Sequence, residues 1–286
     1  MKFNLFLSIA VASLLAAVLS GCSGDPQVAA RHVPERADDF VWENDIVCYR
    51  AYGKALESET LSPGFDVWVK VPGKLVADQW YAAAVSDPEY YHHNHGDGKD
   101  CYKVGVSLGA GASAVLIDGE LVFPATNWRS SEILEQSGDK VVFVLQYPEW
   151  EADGCRFSLD KKITVTKGSH FCEAEDCWTF SGNGSDVITV AAGVVRHDVH
   201  DDIIEGDRIA IWEEASDQSK ESEDGMIGLA VQMPGGKAGM TKDNAHAIVS
   251  KAIRSGEPLR YRFGSCWTGG GEIRDSGMWF DLVKSL

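Results

Sequence analysis

Positive charge is scarce in this sequence. Lysines and arginines number 26 against 43 aspartates and glutamates, giving a formal net charge of −17 over 286 residues. No basic stripe is available to neutralise phosphates, so nucleic acid is excluded as a partner. Long apolar runs are missing after residue 21, and no later window offers the roughly 18 residues of a membrane span. There is no phosphate loop or dinucleotide fingerprint. Those absences argue against P-loop NTPases and dinucleotide-dependent enzymes. Helical signals are few and no internal repeat is visible.

What is present begins with Lys2 and the apolar stretch from Phe3 to Val18, closed by Leu19-Ser20-Gly21-Cys22. A stretch this short, followed by small residues, reads as a signal peptide rather than a spanning helix. Its ending resembles a bacterial lipobox. That resemblance implies removal of residues 1–21 and diacylation of Cys22, and two acyl chains suffice for stable anchoring. Ser23 replaces the aspartate of a retention signal, so the expected location is the outer membrane or periplasm, lipid-anchored through Cys22. Residues 22–38 are polar, carry Pro26 and Pro34, and read as a flexible tether. Residues 39–286 read as a single domain, large enough for one sizeable core and expected to be monomeric.

From Phe40 onward the pattern is that of strands. Phe65-Asp-Val-Trp-Val-Lys and Lys103-Val-Gly-Val-Ser-Leu alternate apolar and polar residues. Ala114-Val-Leu-Ile and Glu120-Leu-Val-Phe flank an Asp118-Gly119 hairpin turn. Further β-branched runs recur at short intervals to Leu259-Arg-Tyr-Arg-Phe, with Gly, Asp, Asn and Pro between them. This is an all-β signature, a large β-sandwich or barrel. Short helices are expected from Ala77 and over Asp275 to Leu286, and residues 216–224 read as an exposed acidic loop. Six cysteines follow Cys22, an even number that permits disulfides in an exported protein, with 15 possible pairings. Cys172 and Cys177 are close enough in sequence to close a small loop. Structural zinc is disfavoured, because no second Cys or His pair stands at suitable spacing.

The densest chemical constellation is Tyr90-Tyr-His-His-Asn-His-Gly-Asp-Gly-Lys-Asp-Cys-Tyr102. His92 and His95 offer a base, Asp97 and Asp100 carboxylates, and Tyr102 a phenol, beside glycines that admit close approach. No cofactor is expected. His92, His95 and Asp97 or Asp100 would suit zinc or calcium, but without standard spacing; a plain surface loop is the bland alternative. A second polar group, Arg196-His197-Asp198-Val199-His200-Asp201-Asp202, follows a convincing strand. It is either a site at a strand end or a solvated turn. Of the nine tryptophans, Trp128 and Trp267 sit in loop-like contexts that favour exposure, where rings stack on pyranose faces; most of the others are core.

Several segments together resemble the DUF4861 family: Glu43-Asn44-Asp45, the run from Arg50 to Leu56, Ser62 to Lys70, and the residues Tyr91-His92, His95-Gly96, Gly98, Asp100 and Tyr102 to Gly105, then Leu108 to Gly111. The resemblance runs from about residue 40 through Trp267. It implies a mutarotase-like β-sandwich (a supersandwich) and a bacterial polysaccharide-utilisation setting, beside enzymes acting on uronic-acid polymers. The implied partner is a glycan or oligosaccharide. β-Elimination needs a group to neutralise the uronate carboxylate, a base for the C5 proton and an acid for the leaving oxygen. Arg50 or Asn127 would neutralise, His92 or His95 would be the base and Tyr102 the acid. Hydrolysis would instead use carboxylates such as Asp97 and Asp100. Substrate contacts are expected from Arg50, Asp97, Asn127, Trp128, His197 and Trp267. Two alternatives stay open: a non-catalytic glycan-binding lipoprotein, and a sugar mutarotase or epimerase.

Overall fold

The computed structural model describes residues 27–58, 61–182, 184–215 and 224–286. Cys22 and its lipobox, and residues 216–223 of the acidic loop, lie outside them. In chain order the strands are β1 Val28–Val33, β2 Asp39–Asn44, β3 Cys48–Ala51, β4 Phe65–Lys70, β5 Gly98–Asp100, β6 Ala110–Ile117, β7 Glu120–Val122, β8 Ser130–Gln136 and β9 Lys140–Ala152. There follow β10 Cys155–Thr166, β11 Phe171–Gly182, β12 Val187–Val195, β13 Val199–Glu205, β14 Arg208–Glu214, β15 Met226–Gln232, β16 Lys237–Met240, β17 His246–Arg254 and β18 Pro258–Trp267. Two α-helices join them, α1 Ala77–Ala84 and α2 Ser276–Lys284.

The fold is a large all-β sandwich with a few short helices. Three antiparallel sheets have the orders β1-β2-β3-β4-β5, β13-β14-β15-β18-β11-β10-β9-β8 and β16-β17-β12-β6-β7. The eight-stranded sheet forms one layer. The two five-stranded sheets lie side by side over its inner face, with β2 against β10, β4 against β18, and β6 and β12 against β15. They meet at a parallel bridge between Phe65 and Gly109. Gly109 has φ 56°, and a Cβ there would stand 2.1 Å from the Phe65 carbonyl oxygen, so the junction requires glycine.

Period-two burial drives this layering. Along β10, Cys155, Phe157, Leu159, Lys161, Ile163 and Val165 turn inward while their neighbours face water or the sheet margin. Trp42, Phe65, Phe143 and Phe263 interlock between the layers, with ring centroids 5.0–6.4 Å apart for Trp42 against the other three. Helix α1 covers the outer side of the first sheet through Trp80 and Tyr81. Helix α2, capped at its N-terminus by Asp275 accepting from the Met278 N–H at 2.9 Å, covers the eight-stranded sheet through Trp279, Phe280 and Val283.

Four sequence expectations are corrected here. Residues 28–33, placed in the tether, form β1, because Val28, Ala30 and Val33 bury themselves against the first sheet. Residues 103–108, read as a strand, form a loop: Gly105 takes φ 58° and Ser107 Oγ donates to the Val104 carbonyl at 2.5 Å. The apolar alternation there reflects Val104 and Leu108 tucking inward from a loop. The expected disulfides are absent, and all six described cysteines are free. Cys172 and Cys177 lie on the same extended strand, too far apart for the bond. Trp128, expected to be exposed, is buried edge-on against Phe40 and His32. The Asp118-Gly119 hairpin is as read, with both residues at positive φ. No helix among the described residues is long and apolar enough to cross a membrane.

Candidate functional site

A cleft of about 980 Å3 opens where four segments converge. These are the loop 103–107, the β6–β7 hairpin, the end of β12 with His197 and Asp198, and the turn 241–246 before β17. The turn folds on itself: Asp243 Oδ1 accepts from Thr241 Oγ1 at 2.6 Å and from the Ala245 N–H at 3.0 Å, while Asn244 takes φ 60°. Those bonds hold the Asp243 carboxyl below its ordinary pKa. Lys242 Nζ donates to Glu120 Oε1 at 3.0 Å and ties the turn to the hairpin. Val104, Val106, Leu121 and Phe123 give the cleft an apolar strip.

Two imidazoles line this wall in different states. His197 Nδ1 lies 2.9 Å from Glu213 Oε1 and its Nε2 lies 2.9 Å from the Lys103 carbonyl oxygen. Both nitrogens face acceptors, so the ring donates twice and carries a positive charge. Glu213 is fully buried, and Tyr102 packs edge-on against the ring at 5.0 Å. His246 differs. Its Nε2 accepts from the Leu108 N–H at 3.3 Å, which puts the proton of the neutral ring on Nδ1. Burial lowers its pKa to about 4 despite Asp243, and His197 pushes in the same direction. No described residue accepts from Nδ1–H, so His246 is an uncharged donor.

The histidine-rich loop does a different job. Among the sequence-derived site residues, His197 lines the cleft, and Tyr102 backs it while itself buried. Arg50 and Asp100 are buried beneath the His92 loop. There Arg50 Nη2 donates to Asp66 and, at 3.0 Å, to Asp100, while Nη1 stands 3.6 Å from Asp39. Burial first, and then Asp66, raises the Asp100 pKa well above the ordinary range. His92 Nδ1 lies 3.2 Å from the Asp100 carbonyl oxygen, and burial lowers its pKa. His95 stacks on Tyr90 at 4.0 Å, with Nε2 3.0 Å from the Tyr90 carbonyl oxygen. Asp97 is half-buried. Asn127 is buried and donates to the Gly53 carbonyl at 2.8 Å. Trp267 is half-buried, with Nε1 donating to the Asp224 carbonyl at 2.6 Å. Arg50, Asp100, Asn127 and Trp128 therefore have no open path to a ligand in this structure. His92 and His95 are likewise not gathered as metal ligands. Among the described residues the grouping with ligand-like spacing is Asp198, His200 and Glu214, all exposed.

Sequence reasoning did not find Lys103, Val106, Glu120 or His246 as cleft residues. Their one visible signal was the Thr-Lys-Asp-Asn-Ala-His turn ahead of a strand; the rest depends on loops meeting across the sheet.

A family model described as a domain of unknown function, DUF4861, matches residues 23–286. The chain belongs to the DUF4861 family. This DUF4861 protein is 34% identical over 218 residues to Uncharacterized protein P7 of Formosa agariphila, a match covering 72% of this chain and 52% of that protein. The chain thus spans about half the length of that relative. Among solved structures it is similar to a protein described as a kojibiose phosphorylase from the human microbiome, at 7% identity and a TM-score of 0.45, over 91% of this chain and 36% of that one. A GH36 α-galactosidase from Geobacillus stearothermophilus matches at 8% identity and 0.34, over 84% and 41%. A galactose mutarotase related enzyme from Lactobacillus acidophilus matches at 8% identity and 0.29, over 80% and 97%.

Proposed function

We propose that this protein acts on uronic-acid-containing glycans or oligosaccharides bound in the cleft between the 103–107 loop and the 241–246 turn, by β-elimination or hydrolysis. The observation that carries this reading is the cleft itself. Its volume of about 980 Å3 suits a sugar segment. It sets an apolar strip, fit for the C–H face of a pyranose, beside a neutral imidazole donor and the carboxylates of Asp198 and Glu120. Asp198 is exposed and is the candidate base or acid; His246 donates a hydrogen bond and cannot accept a proton without losing Leu108.

One observation favours a second reading, binding without turnover. His197 has both nitrogens engaged and His246 has its lone pair engaged, so neither imidazole is a free base. Incubation of the protein with uronate oligosaccharides separates these cases. New absorbance from an unsaturated uronate means elimination, and added water without it means hydrolysis. Anomer or epimer exchange with no new reducing end means a mutarotase or epimerase. Binding with no product across a broad panel supports the second reading. We further propose that Cys22 anchors the domain to a membrane; Cys22→Ser should then move the protein to the soluble fraction and abolish labelling by a fatty-acid analogue.

A further inference from the structure

The cationic side chains around the cleft are almost all spoken for. Lys242 is paired with Glu120 at 3.0 Å. His197 is paired with the buried Glu213 at 2.9 Å. His246 is uncharged, with its pKa at about 4. Lys103 is the exception. It is exposed on the cleft wall, and no carboxylate among the described residues stands within ion-pair distance of its ammonium. In a chain of net charge −17, a lysine that lines a cavity with no partner among the described residues is a site for a ligand's negative charge.

The backbone around Lys103 is fixed for that task. Its carbonyl is held by His197 Nε2 at 2.9 Å, and Tyr102 before it is buried against the same ring. Two residues on, Gly105 turns the loop at φ 58° and presents Val106 with 59% of its surface exposed. Val106 and Lys103 thus offer an apolar surface and a cation on one short loop. That is the pairing needed by a sugar with a C–H face and an anionic substituent.

We propose that Lys103 is the specificity-determining residue of the cleft, which selects sugars bearing a carboxylate or sulfate over neutral ones. This rests on the glycan reading of the same cleft, and it goes further by naming the group recognised. The ammonium pairs with the anion, and His246 Nδ1–H supplies a second donor.

The test is a binding titration with matched probes. Uronate oligosaccharides from several sources are compared with their carboxyl-reduced, neutral counterparts, and a sulfated neutral oligosaccharide forms a third arm. Wild-type protein should favour at least one anionic probe over its neutral counterpart about tenfold. Binding of the carboxylate arm, the sulfate arm or both identifies the anion. Lys103→Met should abolish the preference while leaving Tm unchanged, because the side chain is exposed and no described carboxylate pairs with it. Lys103→Arg should retain most of it. Equal binding of charged and neutral sugars by wild type, or an anion preference that survives Lys103→Met, overturns the proposal and leaves the glycan cleft standing. Failure of every sugar to bind overturns both.

Discussion

His197 Nδ1 stands 2.9 Å from Glu213 Oε1, and the other oxygen of the same carboxylate takes the His197 backbone N–H at 3.0 Å. Glu213 is on β14, His197 just beyond the end of β12, and the pair ties two sheets together at the cleft floor. One fully buried carboxylate thus fixes both the ring and the peptide that carries it. The ring in turn holds the Lys103 carbonyl, so the position of the 103–107 loop depends on an acid sixteen residues beyond His197 in sequence.

Glu213→Ala leaves a charged ring facing a void and two unmatched donors. The expected loss is about 3 kcal/mol of stability, typical of breaking a buried pair. Urea denaturation checks it. Glycan affinity should fall more than stability alone explains, because the Lys103 loop is released.

His246 makes a pH prediction. Its pKa is 6.5 in an unfolded chain and about 4 here. Between those values the unfolded state binds more protons, so stability rises with pH. The contribution is complete above pH 6.5 and is lost as pH falls toward 4; it amounts to about 3 kcal/mol. His246→Gln, which can still accept from Leu108, should flatten this part of a stability-versus-pH curve. An unchanged slope between pH 4 and 6.5 would show that another group carries it.

How much of this was legible in the sequence follows from what each signal encodes. Strand identity is a local matter of alternation and β-branching, so β4, β6 and β18 could be read, as could the Asp118-Gly119 turn and α1. β1 was hidden because its apolar residues, Val28, Ala30 and Val33, are small and separated by polar ones. The site was less legible. The Tyr90–Tyr102 run is dense in chemistry, yet its buried half, with Arg50 and Asp100, is a charge cluster that supports the fold. His246 and Lys103 lie 143 positions apart, and only the joining of the two five-stranded sheets brings them to one cleft.

The Arg50 cluster supplies a contrast of two substitutions. Arg50→Met leaves Asp39, Asp66 and Asp100 buried without their cation and should cost about 3–5 kcal/mol. Asp100→Asn should cost less than Arg50→Met, because burial and Asp66 raise the Asp100 pKa and the amide oxygen can still accept from Arg50. Thermal melts of the two variants check this; a larger loss for Asp100→Asn than for Arg50→Met would refute the charge assignment.

His95 stacks on Tyr90 outside the cleft. His95→Ala is therefore expected to keep glycan affinity and any turnover within about twofold of wild type, a difference under the 1.4 kcal/mol of a tenfold change. Parallel titrations of His95→Ala and Asp198→Asn decide which cluster does the chemistry, since Asp198→Asn should remove turnover while preserving binding.

The most direct test of the account is a crystal structure with a bound uronate oligosaccharide. The account predicts a sugar in the cleft, its ring against Val106 and Phe123, an anionic oxygen within hydrogen-bond distance of Lys103 Nζ, and a sugar oxygen on His246 Nδ1. A sugar bound instead at the His92–His95 loop, or on the Arg260–Arg262 face of the eight-stranded sheet, would contradict it.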